Sequence, residues 1–314
     1  MQVIRGLVNI KSIHRGSVAT IGNFDGVHLG HQAILKQVCE KARQLSVPSL
    51  LICFEPQPRE FFSEFNAPAR LTRFREKVDL LESLGVDLVL CLKFNEATRS
   101  MTADAFIDVL VKDLRLRALF VGDDFKFGHD QCGGFEELQS AGAKNNFDVT
   151  NMYTLNIGDS RVSSTQIREY LAKGFFSEAE LMLGRPYAIS GKVVYGSQLG
   201  RTLDAATANI HLQRYRAPID GVYAVVMELE ESAEVFEGVA NVGVRPTLEN
   251  QTLRPILEVH LFDFSRDIYG QKVKVVFKKK IRKEKKFPDF DSLKTAIAED
   301  VVSAKQFFFK ALSH

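Results

Sequence analysis

Two histidines three residues apart, His28 and His31, close the stretch Gly22-Asn23-Phe24-Asp25-Gly26-Val27-His28-Leu29-Gly30-His31. It lies between an apolar run, Val18 to Ile21, and an amphipathic pattern that begins near His31. A strand that runs into a helix through glycines suits phosphate. The backbone can turn tightly and approach a ligand, and the first helical turn offers unpaired N–H groups and the positive end of its dipole. Imidazoles in that corner can donate hydrogen bonds to a triphosphate and stabilise the charge that develops on a departing pyrophosphate. The chemistry is transfer at phosphorus. A second group, Val162-Ser163-Ser164-Thr165-Gln166-Ile167-Arg168, stands at another helix start. Ser163, Ser164 and Thr165 are N-cap residue types, and with helix N–H groups and the Arg168 guanidinium they also suit phosphate. The third candidate is Glu258. Along Ile256 to Phe264 the side chains of Leu257, Val259 and Leu261 face one way and those of Glu258 and His260 the other, which leaves the carboxylate either solvated or with a role. The string G-x-x-x-x-G-K-[ST] is absent, which excludes a P-loop.

Positioning these residues requires a scaffold, and the periodicity supplies one. Ile34, Leu35, Val38, Ala42 and Leu45 recur at helical spacing, Pro48 stops that helix, and Ser49 to Phe54 is a continuous apolar run of strand length. The alternation continues with a helix over Phe74 to Leu84, a strand over Asp87 to Phe94, a helix over Ala103 to Asp113 and a strand over Ala118 to Gly122. A helix near Phe135 to Lys144 and a strand near Asp148 to Tyr153 follow. Such a pattern predicts a parallel sheet covered on both faces, with ligands beyond the carboxyl ends of its strands. The histidine turn falls there, as do Phe54-Glu55-Pro56-Gln57-Pro58 and Gly122-Asp123-Asp124-Phe125-Lys126-Phe127-Gly128. At Leu183-Gly184-Arg185-Pro186-Tyr187 a helix is capped by Gly and blocked by Pro. Beyond it, Tyr187 to Tyr195, Val222 to Leu229, Glu234 to Val242, Ile256 to Phe264 and Gln271 to Ile281 read as strands of an antiparallel barrel or sandwich. A last amphipathic helix carries Leu293, Ile297, Val301 and Phe308 on one face.

A chain of 314 residues with 45% hydrophobic and 25% charged content is long enough for two ordinary globular domains. A net charge of +2 gives no global field for nucleic acid or membrane. The basic run Lys278 to Lys286 closes a strand and lacks interleaved aromatics, as a solvated strand end does. Cys39, Cys53, Cys91 and Cys132 form no C-x-x-C pair, and Cys53 and Cys91 lie inside apolar runs. They read as reduced structural thiols, hence a cytoplasmic protein. Neither a leader nor an apolar run of membrane length is expected.

G-x-F-D-G-V-H-x-G-H, followed in order by F-x-P-x-P, G-x-D-F-x-F-G and S-S-T-x-I-R, resembles the nucleotidylyltransferase superfamily. Within it, the string is similar to the bacterial bifunctional riboflavin kinase/FMN adenylyltransferases. The resemblance extends over nearly the whole chain. Leu257-Glu258-Val259-His260-Leu261, followed by Asp263-Phe264 and Tyr269-Gly270, looks like the riboflavin kinase signature, and Ile281 to Phe287 matches I/L-R-x-E-x-K-F. The resemblance implies a Rossmann-like nucleotidylyltransferase domain with a parallel sheet over residues 1–184 and a riboflavin kinase β-barrel with a C-terminal helix over 185–314. It makes His28, His31 and Glu258 catalytic, the last as the base. ATP and its phosphates are assigned to Gly22, Asn23, Phe24, Gly30, Ser163, Ser164, Thr165 and Arg168, and to Gly200 and Arg201. Flavin is assigned to Phe54, Pro56, Pro58, Asp124, Phe125 and Phe127, and to Arg245 and Arg282. Thr207 and Asn209 would hold Mg²⁺. The implied ligands are riboflavin, FMN, FAD and ATP, with oligomeric state open.

Two departures stand out. Gln131 and Gly134 replace a basic residue and an acid, and Asp204-Ala205-Ala206 replaces the Gly-Phe-Pro that normally precedes Thr-Ala-Asn. The second admits an alternative, an adenylyltransferase whose other domain binds flavin without phosphorylating it. A non-enzymatic flavin-binding regulator is a third reading, opposed by the intact His28, His31, Ser164, Thr165 and Arg168.

Overall fold

Six apolar segments form a parallel sheet in the computed structural model, which describes residues 1–63, 66–158, 160–195, 207–246 and 253–311. They are β1 (Gln2–Arg5), β2 (Val18–Ile21), β3 (Ser49–Glu55), β4 (Leu88–Lys93), β5 (Ala118–Gly122) and β6 (Asp148–Met152), in the order β1-β4-β3-β2-β5-β6. The helices between them are α1 (Leu29–Leu45), α2 (Pro58–Phe62), α3 (Phe74–Ser83), α4 (Glu96–Arg99), α5 (Ala103–Asp108) and α6 (Phe135–Asn145). The helix expected over Ala103 to Asp113 is α-helical only to Asp108 and continues as a π-helical turn over Val109–Asp113. β1 was not among the expected strands. Its four residues have a neighbour only in β4, and their pattern is too short to show a period.

Strand order reverses at β2. The chain steps from β2 through β3 to β4, then returns to place β5 on the other side of β2. The crevice of such a sheet opens at this switch point, so the turn after β2 and the loop after β5 meet at one edge. Buried side chains lie on both faces of the sheet. Leu50, Ile52, Leu119 and Leu138 belong to one face, and Leu35, Leu51, Cys53, Leu81 and Val89 to the other.

A short hairpin pairs β7 (Asn156–Ile157) with β8 (Ser160–Arg161), and α7 (Ser164–Lys173) and α8 (Phe176–Leu183) follow. The second sheet is a closed barrel of β9 (Ala188–Val194), β10 (Thr207–His211), β11 (Gly221–Leu229), β12 (Val235–Pro246), β13 (Leu253–Leu261) and β14 (Lys272–Arg282). Their order is β10-β13-β12-β11-β14-β9, and every pairing is antiparallel. β10 decides between barrel and sandwich, because it bridges β13 and β9 and leaves no edge. Thr-Ala-Asn-Ile-His has weak strand character alone, and its two neighbours impose it. Tyr223, Val225, Met227, Leu257, Val259, Val275 and Phe277 are buried among the strands. α9 (Phe290–Ala311) covers the outside through Ala304 and Phe308, packed on Val222, Ala224, Val239 and Phe262.

The chain forms two compact units: Met1–Pro68 with Phe74–Ser164, and Ala69–Arg73 with Thr165–His314. The second unit thus holds α7, α8 and a five-residue excursion from the first half of the chain as well as the barrel.

Candidate functional site

The turn after β2 is built around two stacked imidazoles. His28 is the N-cap of α1, and its Nδ1 accepts the backbone N–H of His31 at 3.3 Å. A neutral ring that accepts at Nδ1 carries its proton on Nε2, so His28 presents an Nε2–H donor. The rings of His28 and His31 lie 3.6 Å apart between centroids with 14° between their planes, and Phe24 stacks on the far face of His31 at 4.5 Å. Gly30 leaves room for the stack, since an added Cβ there would crowd the His28 ring at 3.2 Å. The turn also holds Phe24 and Val27 at φ values of 48° and 41°, a region that non-glycine and especially β-branched residues avoid. Val27 is fully buried, so packing holds the loop in that shape.

His31 sits well below the usual imidazole range. Burial is the main cause, and the neighbouring His28 and Lys77 both add to it. It is therefore neutral at pH 7, and its Nδ1 is enclosed without a hydrogen-bond partner. Ser164, first residue of α7 and last of the first compact unit, donates its hydroxyl to the Asp25 carbonyl of the histidine turn at 2.8 Å. The division between the compact units falls directly after Ser164; Thr165 and Arg168 belong to the second, where Arg168 donates to the Ala69 carbonyl. Gly22 and Asn23 lie between β2 and the stacked rings, with Gly22 close against the Phe24 ring.

The other expected residues of this unit also line strand ends. Phe54 is the penultimate residue of β3, Glu55–Pro56 is a cis peptide, and Pro58 opens α2. Phe54 meets Phe94 edge to face at 5.8 Å, and Phe61 and Phe62 approach Phe94 at 5.4 and 6.0 Å. Phe62 is 62% exposed beneath the Arg99 guanidinium. Phe61, Phe62 and Phe94 escaped the sequence reading, although two adjacent aromatics left on a surface are a signal of binding. Phe125 stacks on Phe127 at 5.8 Å, while Phe127 is buried against Phe106 and Gly133. Asp124 accepts from Arg161 at 3.3 Å. At the substituted Gly134, a side chain would strike the Lys126 ammonium, and Glu137 accepts the Gly134 N–H at 2.8 Å. Gln131 adopts a φ of 58° in the same loop.

In the barrel, register places Asn209, Glu258 and Asn241 side by side on one face of β10, β13 and β12, with Thr207 and His260 next along. Asn209 is 5% exposed; its amide nitrogen donates to the Thr207 carbonyl at 3.4 Å, and its Oδ1 is buried with no partner. An enclosed amide oxygen beside a carboxylate and a hydroxyl is an all-oxygen donor set, which fits a hard cation that completes its shell with phosphate oxygens and water. No cluster of three His, Cys, Asp or Glu side chains able to hold a metal occurs among the described residues. Arg282 donates through Nε and Nη2 to the two oxygens of Asp300, both at 2.8 Å, under the Phe287 ring. The Glu284 carboxylate rests against Gly243, and its pKa is raised by burial and by Asp220, with Arg282 opposing. Arg245 is a residue of β12. Gly200, Arg201 and the Asp204-Ala205-Ala206 departure lie outside the described residues.

A parallel α/β sheet with a paired-histidine turn at its switch point is the architecture of a nucleotide-transferring domain, joined here to a closed antiparallel barrel. Residues 10–166 match the FAD synthetase family and residues 183–308 the riboflavin kinase family. The chain is 50% identical over 309 residues to the bifunctional riboflavin kinase/FMN adenylyltransferase of Haemophilus influenzae, covering 98% of this chain and 99% of that one. It is 48% identical over 311 residues to the protein so named in Escherichia coli K12, covering 98% of both. A solved Streptococcus pneumoniae structure, described as a macrolide-efflux protein, shares the architecture at a TM-score of 0.77 and 29% identity, over 96% of this chain and 97% of that one. This chain belongs to the family of bifunctional riboflavin kinases/FMN adenylyltransferases. No helix among the described residues is long and apolar enough to cross a membrane.

Proposed function

We propose that this protein makes FMN and FAD in two ATP-dependent steps at separate sites. In the barrel, the riboflavin 5′-hydroxyl attacks the γ-phosphorus of ATP, and Glu258 takes the hydroxyl proton as the P–O bond forms. ADP leaves. In the α/β unit, an FMN phosphate oxygen attacks the α-phosphorus of a second ATP, and the bond to pyrophosphate breaks. His28 donates from Nε2 to the phosphate oxygens, and the α1 N-terminus adds its unpaired N–H groups and dipole. Ser164 contributes a further phosphate contact. Positioning and fixed electrostatics supply most of the rate in such transfers. The isoalloxazine of FMN would lie near Phe54 and the exposed rings of Phe61 and Phe62, where its flat apolar surface has matching partners.

Mg²⁺ would be held by Thr207, Asn209 and the substrate phosphates, where it would neutralise phosphoryl oxygens. Glu258, beside Asn209 in the register, then faces the hydroxyl to be deprotonated. The observation that carries the reading is the stacked His28–His31 pair at the switch point of a chain that also matches riboflavin kinase along its second half. The free state of Cys39, Cys53, Cys91 and Cys132 suits a reducing, cytoplasmic setting. Incubating the purified protein with riboflavin, Mg²⁺ and ATP should give FMN and then FAD. Accumulation of neither would sink the reading, and FAD formed only from added FMN would favour the alternative with an impaired kinase.

A further inference from the structure

The barrel register lines up one row of side chains across five strands: Asn209 on β10, Glu258 on β13, Asn241 on β12, Val222 on β11 and Arg282 on β14. Directly opposed residues of antiparallel strands share a face. The alternate residues Ile210, Leu257 and Val242 are buried inside the barrel, so this row lies on its outside. Its two ends differ. At one end Asn209 is enclosed with its Oδ1 unpartnered, and Thr207 stands two residues before it on the same face. At the other end α9 covers the strands, with Ala304 and Phe308 on Val222 and Asp300 bonded to Arg282. The face is apolar where α9 packs, at Val222, Ala224 and Val239. Asn241, a half-buried carboxamide, stands between that covered part and Glu258.

Transfer geometry sorts the two sides of the row. The attacking and leaving oxygens of a phosphoryl transfer lie roughly in line, on opposite sides of phosphorus. With the ATP phosphates on the Thr207 and Asn209 side of Glu258, the rest of the acceptor molecule extends to the Asn241 side. Neighbouring strands are about 4.8 Å apart, so the ribityl hydroxyls next to the reacting one come within reach of the Asn241 carboxamide. That group both donates and accepts, which suits a polyol in a way that neither a carboxylate nor an apolar side chain does. We propose that Asn241 is a substrate-contacting residue of the kinase site that reads the ribityl chain and so selects flavins that carry one. This inference rests on the reading of Thr207, Asn209 and Glu258 given above.

The test compares riboflavin phosphorylation by the parent protein, Asn241→Leu and Asn241→Asp. Leucine is close to asparagine in size but makes no hydrogen bond, so the KM for riboflavin should rise about tenfold while the KM for ATP holds. Lumiflavin, which carries a methyl group in place of the ribityl chain, should inhibit the parent and Asn241→Leu with the same Ki. A merely structural role would raise both constants together. Aspartate still accepts from hydroxyls but places a second carboxylate beside Glu258, so the acid limb of kcat should move to higher pH. That arm decides the matter if Asn241→Leu fails to fold. An unchanged riboflavin KM in folded Asn241→Leu, a lumiflavin Ki that rises in step with it, or an acid limb that stays in place in Asn241→Asp overturns the proposal. If the parent phosphorylates no riboflavin, or Glu258→Gln does so at the parent rate, the reading of the barrel site fails first and the proposal falls with it.

Discussion

At the scale of residues, the chemistry proposed for His28 and His31 is separable from that proposed for Glu258. Changing either histidine to Ala should lower FAD formation from FMN roughly 10²-fold or more, as loss of an oxyanion-type donor does. Riboflavin phosphorylation by the same preparation should survive, as product chromatography would show; parallel loss of both activities in a folded variant would mean that the sites are not separate. Glu258→Gln keeps the shape and hydrogen bonds but cannot accept the proton. FMN production should fall by about 10²–10⁴ while riboflavin still binds by fluorescence quenching. His31 also gives the fold a pH dependence. Its folded pKa lies well below the ordinary 6.5 of the unfolded chain, so at low pH the unfolded state binds the extra proton. The contribution is present above about 6.5 and lost as pH falls toward the folded value. Melting temperature should drop below pH 6.5, and His31→Ala should flatten that part of the curve; an equal slope in both proteins would place the dependence elsewhere.

At the scale of elements, helix starts and strand register hold the sites. α1 begins with a side chain that caps it and that is also the proposed phosphate donor, so a substitution at His28 would alter the cap as well as the proposed chemistry. α9 is tied to β14 by the two-pronged bond from Arg282 to Asp300, and Asp300 is 5% exposed. The sequence reading assigned Arg282 to flavin; in the structure it also anchors an element. Arg282→Met should therefore leave a buried carboxylate uncompensated and cost about 3 kcal/mol in urea unfolding. Adding Asp300→Leu should return most of it. A double variant no more stable than Arg282→Met would show that the pair is not the anchor.

At the scale of the whole molecule, the second compact unit takes in everything from Thr165 onward together with Ala69–Arg73, so α7 and α8 belong with it although they precede the break that the Gly184 cap, Pro186 and the change of pattern mark. Phe176 of α8 stacks on Phe277 at 6.3 Å and meets Tyr223 edge to face at 5.6 Å, so α8 is part of the barrel's packing. A fragment of residues 165–314 should fold and melt several degrees above one that begins at Tyr187; equal melting temperatures would show that the helices add nothing. Local signals are short-ranged, and they were enough for most elements. The period of α1, the apolar run of β3, the alternation that turns Glu258 away from Leu257 and Val259, and the glycines around His28 are all written in neighbouring residues. Residues whose meaning depends on distant partners were not legible. β10 is a strand because β13 and β9 flank it, and Lys77 is buried although charged because α3, through Leu81, packs on the sheet face of Leu51 and Val89. Asp300 matters because α9 returns to β14. Pairing and burial are decided by what the folded chain brings alongside, and no window of sequence contains both halves of such a contact.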